Sequence, residues 1–102
     1  MTFDEYQTEA HSFASYGDRE IYPVLALAEE AGEVVGKFAK AIRKGVDVDI
    51  DAIKKELGDV LWNVAEIATI LDIDLEEIAI GNIVKLSDRE DRGVIVGEGD
   101  NR

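Results

Sequence analysis

Apolar positions recur along this chain at the spacing of helix faces. Leu27, Ala31, Val34, Val35, Phe38 and Ile42 follow the i, i+3/i+4, i+7 pattern of one stripe, which predicts a buried helix face. Ile53, Leu57, Val60, Leu61, Val64 and Ile67 make a second stripe, and a further helical segment carries Leu75, Ile78, Ala79, Asn82, Ile83 and Leu86. The punctuation between them is specific. Thr2 and Glu5 have capping-box spacing and open a first helix from Phe3 to about Ser15, with Gly17 after it. Pro23 suits the first turn of the second helix. Arg43-Lys44-Gly45 closes it, with cations in the last turn and then a glycine. The third helix is expected from Asp49 or Asp51 to about Leu71. Asp74 and Glu77 repeat the capping-box spacing and open a fourth that runs to about Arg89. Residues 93–102 are glycine-rich, and Val94-Ile95-Val96 is the one β-like run. The expectation is an all-α fold: a four-helix antiparallel bundle with a short glycine-rich tail, one domain over residues 1–102.

Composition narrows the function classes. The chain has 102 residues, a hydrophobic fraction of 46% and a formal net charge of −12. That length and apolar content support one domain with a modest core rather than disorder. The charge argues against a nucleic-acid duplex or an anionic membrane as partner. It would also repel a free phosphate substrate, unless a metal and local cations reverse the sign near the site. No apolar run reaches spanning length, and the acidic start Met1-Thr2-Phe3-Asp4-Glu5 has no signal-peptide pattern. A cytoplasmic protein is expected. The absence of cysteine excludes disulfides, thiolate metal sites and cysteine nucleophiles.

The candidate chemistry lies in four acids: Glu30 and Glu33 in Glu29-Glu30-Ala31-Gly32-Glu33, and Glu56 and Asp59 in Glu56-Leu57-Gly58-Asp59. Each pair is spaced i, i+3 on a helix and so shares a face. At 100° per residue, Glu30 lies about 90° from the centre of its apolar stripe. Glu33 is on the same side, Glu56 flanks the next stripe, and Asp59 and Asn63 lie beside it. Side by side, the two helices would set four carboxylates at one cleft, where a hard divalent cation such as Mg²⁺ takes oxygen ligands. Geometry alone leaves a solvated acidic face equally open.

Other signals are set aside. Asp47-x-Asp49-x-Asp51 resembles the start of a calcium loop, but Ala52 stands where the turn needs glycine and Gly58 where the bidentate glutamate belongs. A di-iron bundle needs Glu-x-x-His on two helices, and His11 is the only histidine. It reads as a surface or packing residue. There is no glycine-rich phosphate loop. Lys37, Lys40, Arg43 and Lys44 read as a solvated face.

Leu27-Ala28-Glu29-Glu30-Ala31-Gly32-Glu33-Val34, then Lys55-Glu56-Leu57-Gly58-Asp59-Val60-Leu61-Trp62, resembles the MazG-like nucleotide pyrophosphohydrolases of the all-α NTP pyrophosphatase superfamily. The signature is Glu-Glu-x-x-Glu followed by Glu-x-x-Asp. The similarity extends to Phe3-Asp4-Glu5-Tyr6-Gln7, to Gly81-Asn82-Ile83-Val84-Lys85-Leu86 and to the ending Gly97-x-Gly99-Asp100-Asn101-Arg102. The resemblance implies Mg²⁺-dependent hydrolysis of a (d)NTP to the monophosphate and pyrophosphate, in nucleotide-pool control or cleaning, with Mn²⁺ as a substitute metal. It implies Glu30, Glu33, Glu56 and Asp59 as the catalytic, metal-coordinating acids and Asn82 and Lys85 as substrate-side residues. Arg89 is a further candidate for phosphate contact. Trp62 could stack on a base or fill the bundle or a subunit interface, and Asn63 could contact the nucleotide or orient an acid. A homo-oligomer is expected, a tetramer ahead of a dimer. Two alternatives stay open: a dUTPase-like, dCTPase-like or phosphoribosyl-ATP pyrophosphatase specialist, and a non-catalytic acidic helical module that binds a partner protein.

Overall fold

Local end signals set most of the helix boundaries. The computed structural model describes residues 1–102 and contains α1 (Phe3–His11), α2 (Tyr22–Lys44), α3 (Ile50–Ile70) and α4 (Leu75–Asp91), with no strand. Both halves of the first capping box form: Glu5 N–H donates to Thr2 Oγ1 at 3.1 Å and Thr2 N–H to Glu5 Oε1 at 3.2 Å. Pro23 lies in the first turn of α2, and Gly45 ends it in the left-handed region at φ 66°, where a Cβ would be strained. The Asp49 carboxylate accepts from Ala52 N–H at 3.2 Å and caps α3.

One predicted boundary and one predicted cap are corrected. α1 ends at His11, not near Ser15. The amides of Phe13 and Ala14 turn to carbonyls three residues back, and Ser12 Oγ donates to the Glu9 carbonyl at 2.6 Å, so the last turn tightens and the chain leaves the helix. The Asp74–Glu77 capping box does not form, because Asp74 makes no side-chain cap bond. Two α1 side chains take its place. Gln7 Oε1 accepts from Leu75 N–H at 2.8 Å, and Asp4 Oδ1 from Glu76 N–H at 3.5 Å. The Gln7 amide nitrogen also donates to Thr69 Oγ1 at 3.2 Å and to the Ile73 carbonyl at 2.9 Å. One side chain thus joins α1, the end of α3 and the start of α4.

α3 is the hub. It packs against α2, α1 and α4, while α4 touches α1 but not α2. Small residues line much of the core: Ala26 and Ala41 on α2, Ala65 and Ala68 on α3, with Ile53, Leu75, Tyr16 and Ala10. The stripe expected to be buried on α2 is largely open: Val35 is 67% exposed, Phe38 47% and Ile42 79%. Leu57 on α3 and Ile78, Ile83 and Leu86 on α4 are exposed too. Periodicity marks a face as apolar without saying what covers it, and within one chain no helix lies over these faces. The radius of gyration is 16.4 Å, against about 13 Å for a compact domain of this length.

The tail forms bends, and Val94-Ile95-Val96 is not a strand. Arg102 gathers it by donating to the carbonyls of Val94 and Ile95 at 3.0 Å and of Gly99 at 2.5 Å. A Cβ on Gly97 would meet Arg102 Cδ at 2.8 Å, so the close approach of that side chain needs glycine.

Candidate active site

The contact between α2 and α3 sets the site. Ala26 on α2 and Ile53 and Asn63 on α3 are buried. Glu30 stands one turn after Ala26, Glu56 one turn after Ile53, and Asp59 one turn before Asn63. The carboxylates therefore emerge at the rim of the helix contact, and one oxygen from each of Glu30, Glu56 and Asp59 lies within 4.8 Å of the others. Glu30 and Glu56 are half-buried and Asp59 is exposed. Burial raises the Glu30 pKa above the usual carboxylate value, and the charges of Asp59, Glu56, Glu29 and Glu33 push it the same way. Three converging oxygen donors with mutual repulsion suit a hard divalent cation, which would relieve that repulsion. Glu33 is exposed, one turn beyond Glu30, and is not among the three that converge. Its charge still reaches Glu30.

Asn63 is 3% exposed. Its Nδ2 donates to the Asp59 carbonyl at 2.9 Å, which fixes the amide's orientation, because a carbonyl only accepts. Oδ1 is left buried without a partner. Asn63 lines a cavity of about 150 Å³ together with Tyr22, Ala26, Glu30, Asp59 and Trp62. A bare acceptor beside the carboxylates calls for a donor from a ligand or water. Trp62 is held by its indole, with Nε1 donating to the Ala10 carbonyl at 3.0 Å.

The α4 candidates lie elsewhere. Asn82 is exposed on α4. Lys85 Nζ and Arg89 Nη2 each bond Asp100 Oδ1 at 3.1 Å, and Arg89 Nη2 also donates to the Asp100 carbonyl. α4 does not touch α2, which carries Glu30, and none of Asn82, Lys85 and Arg89 lines the cavity that holds Glu30 and Asp59.

Sequence reasoning passed over Glu66. It has no solvent exposure, and its Oε1 accepts from Tyr16 Oη at 2.8 Å and pairs with His11 Nδ1 at 2.9 Å. His11, expected at the surface or in packing, is exposed and makes this polar bond. Burial, then the bond to Glu66, pushes the Tyr16 hydroxyl up to about 12. The available signal was register: Glu56, Asp59, Asn63 and Glu66 fall at i, i+3, i+7 and i+10, one polar line along α3.

Fold and site together define a class: all-α chains that gather carboxylates from neighbouring helices at one rim. The family model of the MazG nucleotide pyrophosphohydrolase domain matches residues 22–94. The chain is also 40% identical, over 114 aligned positions spanning all of both chains, to the Gene 37 protein of Mycobacterium phage L5. No solved structure matches. The chain belongs to the MazG nucleotide pyrophosphohydrolase family, whose members are generally dependent on divalent metal. No helix is long and apolar enough to cross a membrane.

Proposed function

We propose that this protein hydrolyses the α–β phosphoanhydride of a nucleoside triphosphate, giving the monophosphate and pyrophosphate. The observation that carries this reading is the convergence of Glu30, Glu56 and Asp59 from two helices inside the matched family domain. These three would hold Mg²⁺, with Mn²⁺ as a substitute. When bound, the metal supplies neutralisation of phosphate charge and Lewis-acid activation. The chain's own residues do the rest. Glu33, exposed and one turn from the trio, accepts the attacking water's proton or, where it closes as a fourth ligand, leaves that proton to Glu56. The water oxygen bonds to the α-phosphorus as the bond to the bridging oxygen breaks, and pyrophosphate leaves.

The test is pyrophosphate release from a panel of NTPs and dNTPs with and without Mg²⁺, both products identified. Strictly metal-dependent formation of monophosphate is expected. Glu56→Gln should keep the helical circular dichroism and lose nearly all of that activity. Unchanged turnover in this variant would remove the carboxylate site from the reaction.

A homo-oligomer completes the proposal. The chain exposes 7533 Å², against about 5,700 Å² for a compact monomer of its mass. The excess is more than twice the roughly 800 Å² that one partner buries in a standard interface. Exposed Val35, Phe38 and Ile42 on α2 and Ile80, Ile83 and Val84 on α4 supply apolar surface for it. A surface this large favours two kinds of contact per protomer, hence a tetramer ahead of a dimer. Assembly would also offer a route for the α4 cations of one copy to reach the carboxylates of another.

A further inference from the structure

A second cavity adjoins the carboxylate rim. It measures about 380 Å³ and is lined by Ser15, Tyr16, Arg19, Tyr22 and Trp62. Tyr22 and Trp62 also line the smaller cavity that holds Glu30, Asp59 and Asn63. The two are therefore neighbours through shared walls. A ligand with phosphates at the carboxylates could lay its other end between Tyr22 and Trp62. The volume falls in the usual range for small-molecule sites.

The walls are held in place. Trp62 is fixed by its bond to Ala10. Its ring meets Tyr16 edge-on, with centroids 6.5 Å apart and planes at 82°. Tyr16 lies 6.3 Å from Tyr22. Arg19 Nε donates to the Tyr16 carbonyl at 3.2 Å, which anchors the guanidinium. Its two Nη groups make no hydrogen bond or ion pair, although the chain carries 23 acidic residues. A donor fork thus stands free beside a pocket with aromatic walls.

Resting on the pyrophosphohydrolase reading, we propose that this cavity seats the nucleobase and that Arg19 makes the enzyme selective for 6-oxopurine nucleoside triphosphates. Aromatic faces accept any base by stacking, so they supply binding without choice. The Arg19 fork supplies the choice. Guanine and hypoxanthine present O6 and N7 as two parallel acceptors, the pattern an arginine fork matches. Adenine and cytosine turn an amino donor toward the same fork, and uracil offers one acceptor. The Asn63 Oδ1, buried without a partner in the smaller cavity, accepts a hydrogen bond from a sugar hydroxyl.

Trp62 is the only tryptophan, so its fluorescence reports the seat directly. The full-length protein is titrated, with Mg²⁺, with the α,β-methylene triphosphates of guanosine, inosine, adenosine, cytidine and uridine. Quenching is expected with every base, with guanine and hypoxanthine bound about tenfold or more tighter than adenine. Arg19→Ala should bring them to the adenine level and leave competition by inorganic pyrophosphate unchanged. Arg19→Lys, which keeps the charge and loses the fork, should do the same. Equal affinities in the wild type would overturn the proposal, as would an Arg19→Ala loss shared by all bases and pyrophosphate, which would make Arg19 a phosphate contact. Quenching with this ranking but no pyrophosphate release would sink the reaction and keep the seat. Release without quenching or ranking would do the reverse.

Discussion

Tyr16 Oη donates to Glu66 Oε1 at 2.8 Å, and through this bond the α1–α2 connection is fastened to a carboxylate with no solvent exposure. The same oxygen pairs with His11 Nδ1 at 2.9 Å, while Oε2 has no partner. Tyr16 also forms the edge of the aromatic pocket, so Glu66 positions that wall from beneath.

Tyr16→Phe keeps the ring and removes the donor. The expected loss is about 1.5–3 kcal/mol, the range for a hydrogen bond to a charged group, read as a lower urea midpoint at neutral pH. The loss should also depend on pH in one direction. The folded hydroxyl has a pKa of about 12, above the 10.0 of the unfolded chain. Between these values the folded state holds the proton that the unfolded state releases, so stability falls as pH rises. The tyrosine's contribution is complete below pH 10 and is lost through about pH 12. Tyr6 is raised as well, chiefly by burial, so the comparison of wild type with Tyr16→Phe isolates Tyr16. A difference that stays constant across this window would mean that the bond to Glu66 is not made in solution.

The carboxylate trio stores repulsion that a cation would release. Glu30 is raised first by burial and then by Asp59 and Glu56. A carboxyl raised on folding binds protons more tightly in the folded state, so without metal stability should fall as pH rises through its pKa. Glu30→Gln removes one of the repelling charges. The metal-free variant should melt a few degrees higher than the metal-free wild type at neutral pH. It should also lose the wild type's gain with Mg²⁺, which follows from cation binding to the folded state alone. Acidification should weaken Mg²⁺ in the wild type, because protons compete for the same oxygens. Thermal melts with and without Mg²⁺, from neutral into mildly acid pH, test all three. A variant that melts lower and keeps its Mg²⁺ response would remove Glu30 from the metal site.

What could be read in the sequence was what is local. Thr2 with Glu5, Gly45 and Asp49 act through backbone groups within four residues, so their spacing announces the helix ends. Asp74 with Glu77 has the same spacing and fails, because Gln7 and Asp4 arrive from 68 and 72 residues away to take the amides of α4. Glu30, Glu56 and Asp59 were legible as flanks of two apolar stripes, and adjacent helices brought the flanks together. Glu66 was not, since a glutamate reads as solvent-facing unless the Tyr16 and His11 that bury it are known. Val35, Phe38 and Ile42 were legible as an apolar stripe, and no helix of the same chain covers them.

Those open stripes carry the next expectation. Ile83 is 66% exposed on α4, between Ile80 at 60% and Val84 at 63%. Ile83→Glu should leave the isolated helices intact, since the side chain touches little within its own chain. In an assembly it would bury an unpaired charge. The variant is expected to shift to a smaller species in light scattering, with loss of the concentration-dependent melting temperature that an oligomer shows. A wild type that is monomeric at every concentration would refute the assembly itself.

The tail supplies the last test. Asp100 is held below the usual carboxylate value by its hydrogen bonds to Lys85, which resemblance to the family assigns to the substrate side, and to Arg89, a further candidate for phosphate contact. If these cations receive phosphate, the protein's own carboxylate occupies the place of a phosphate oxygen. Because the folded pKa is depressed, the tie is complete above the ordinary carboxylate value and is lost only as pH falls through the lowered one, so it persists at neutral pH. A triphosphate would have to displace Asp100 to reach both cations. Asp100→Ala should therefore lower KM for the nucleotide several-fold with kcat little changed, since it frees binding groups and leaves the carboxylate trio alone. It should also release residues 93–102, read as faster tryptic cleavage after Arg92. In the wild type, added pyrophosphate should speed the same cleavage by competing for Lys85 and Arg89. A raised KM in Asp100→Ala would show instead that the tail helps to build the substrate site. Cleavage unaffected by pyrophosphate would show that the α4 cations do not receive phosphate at all.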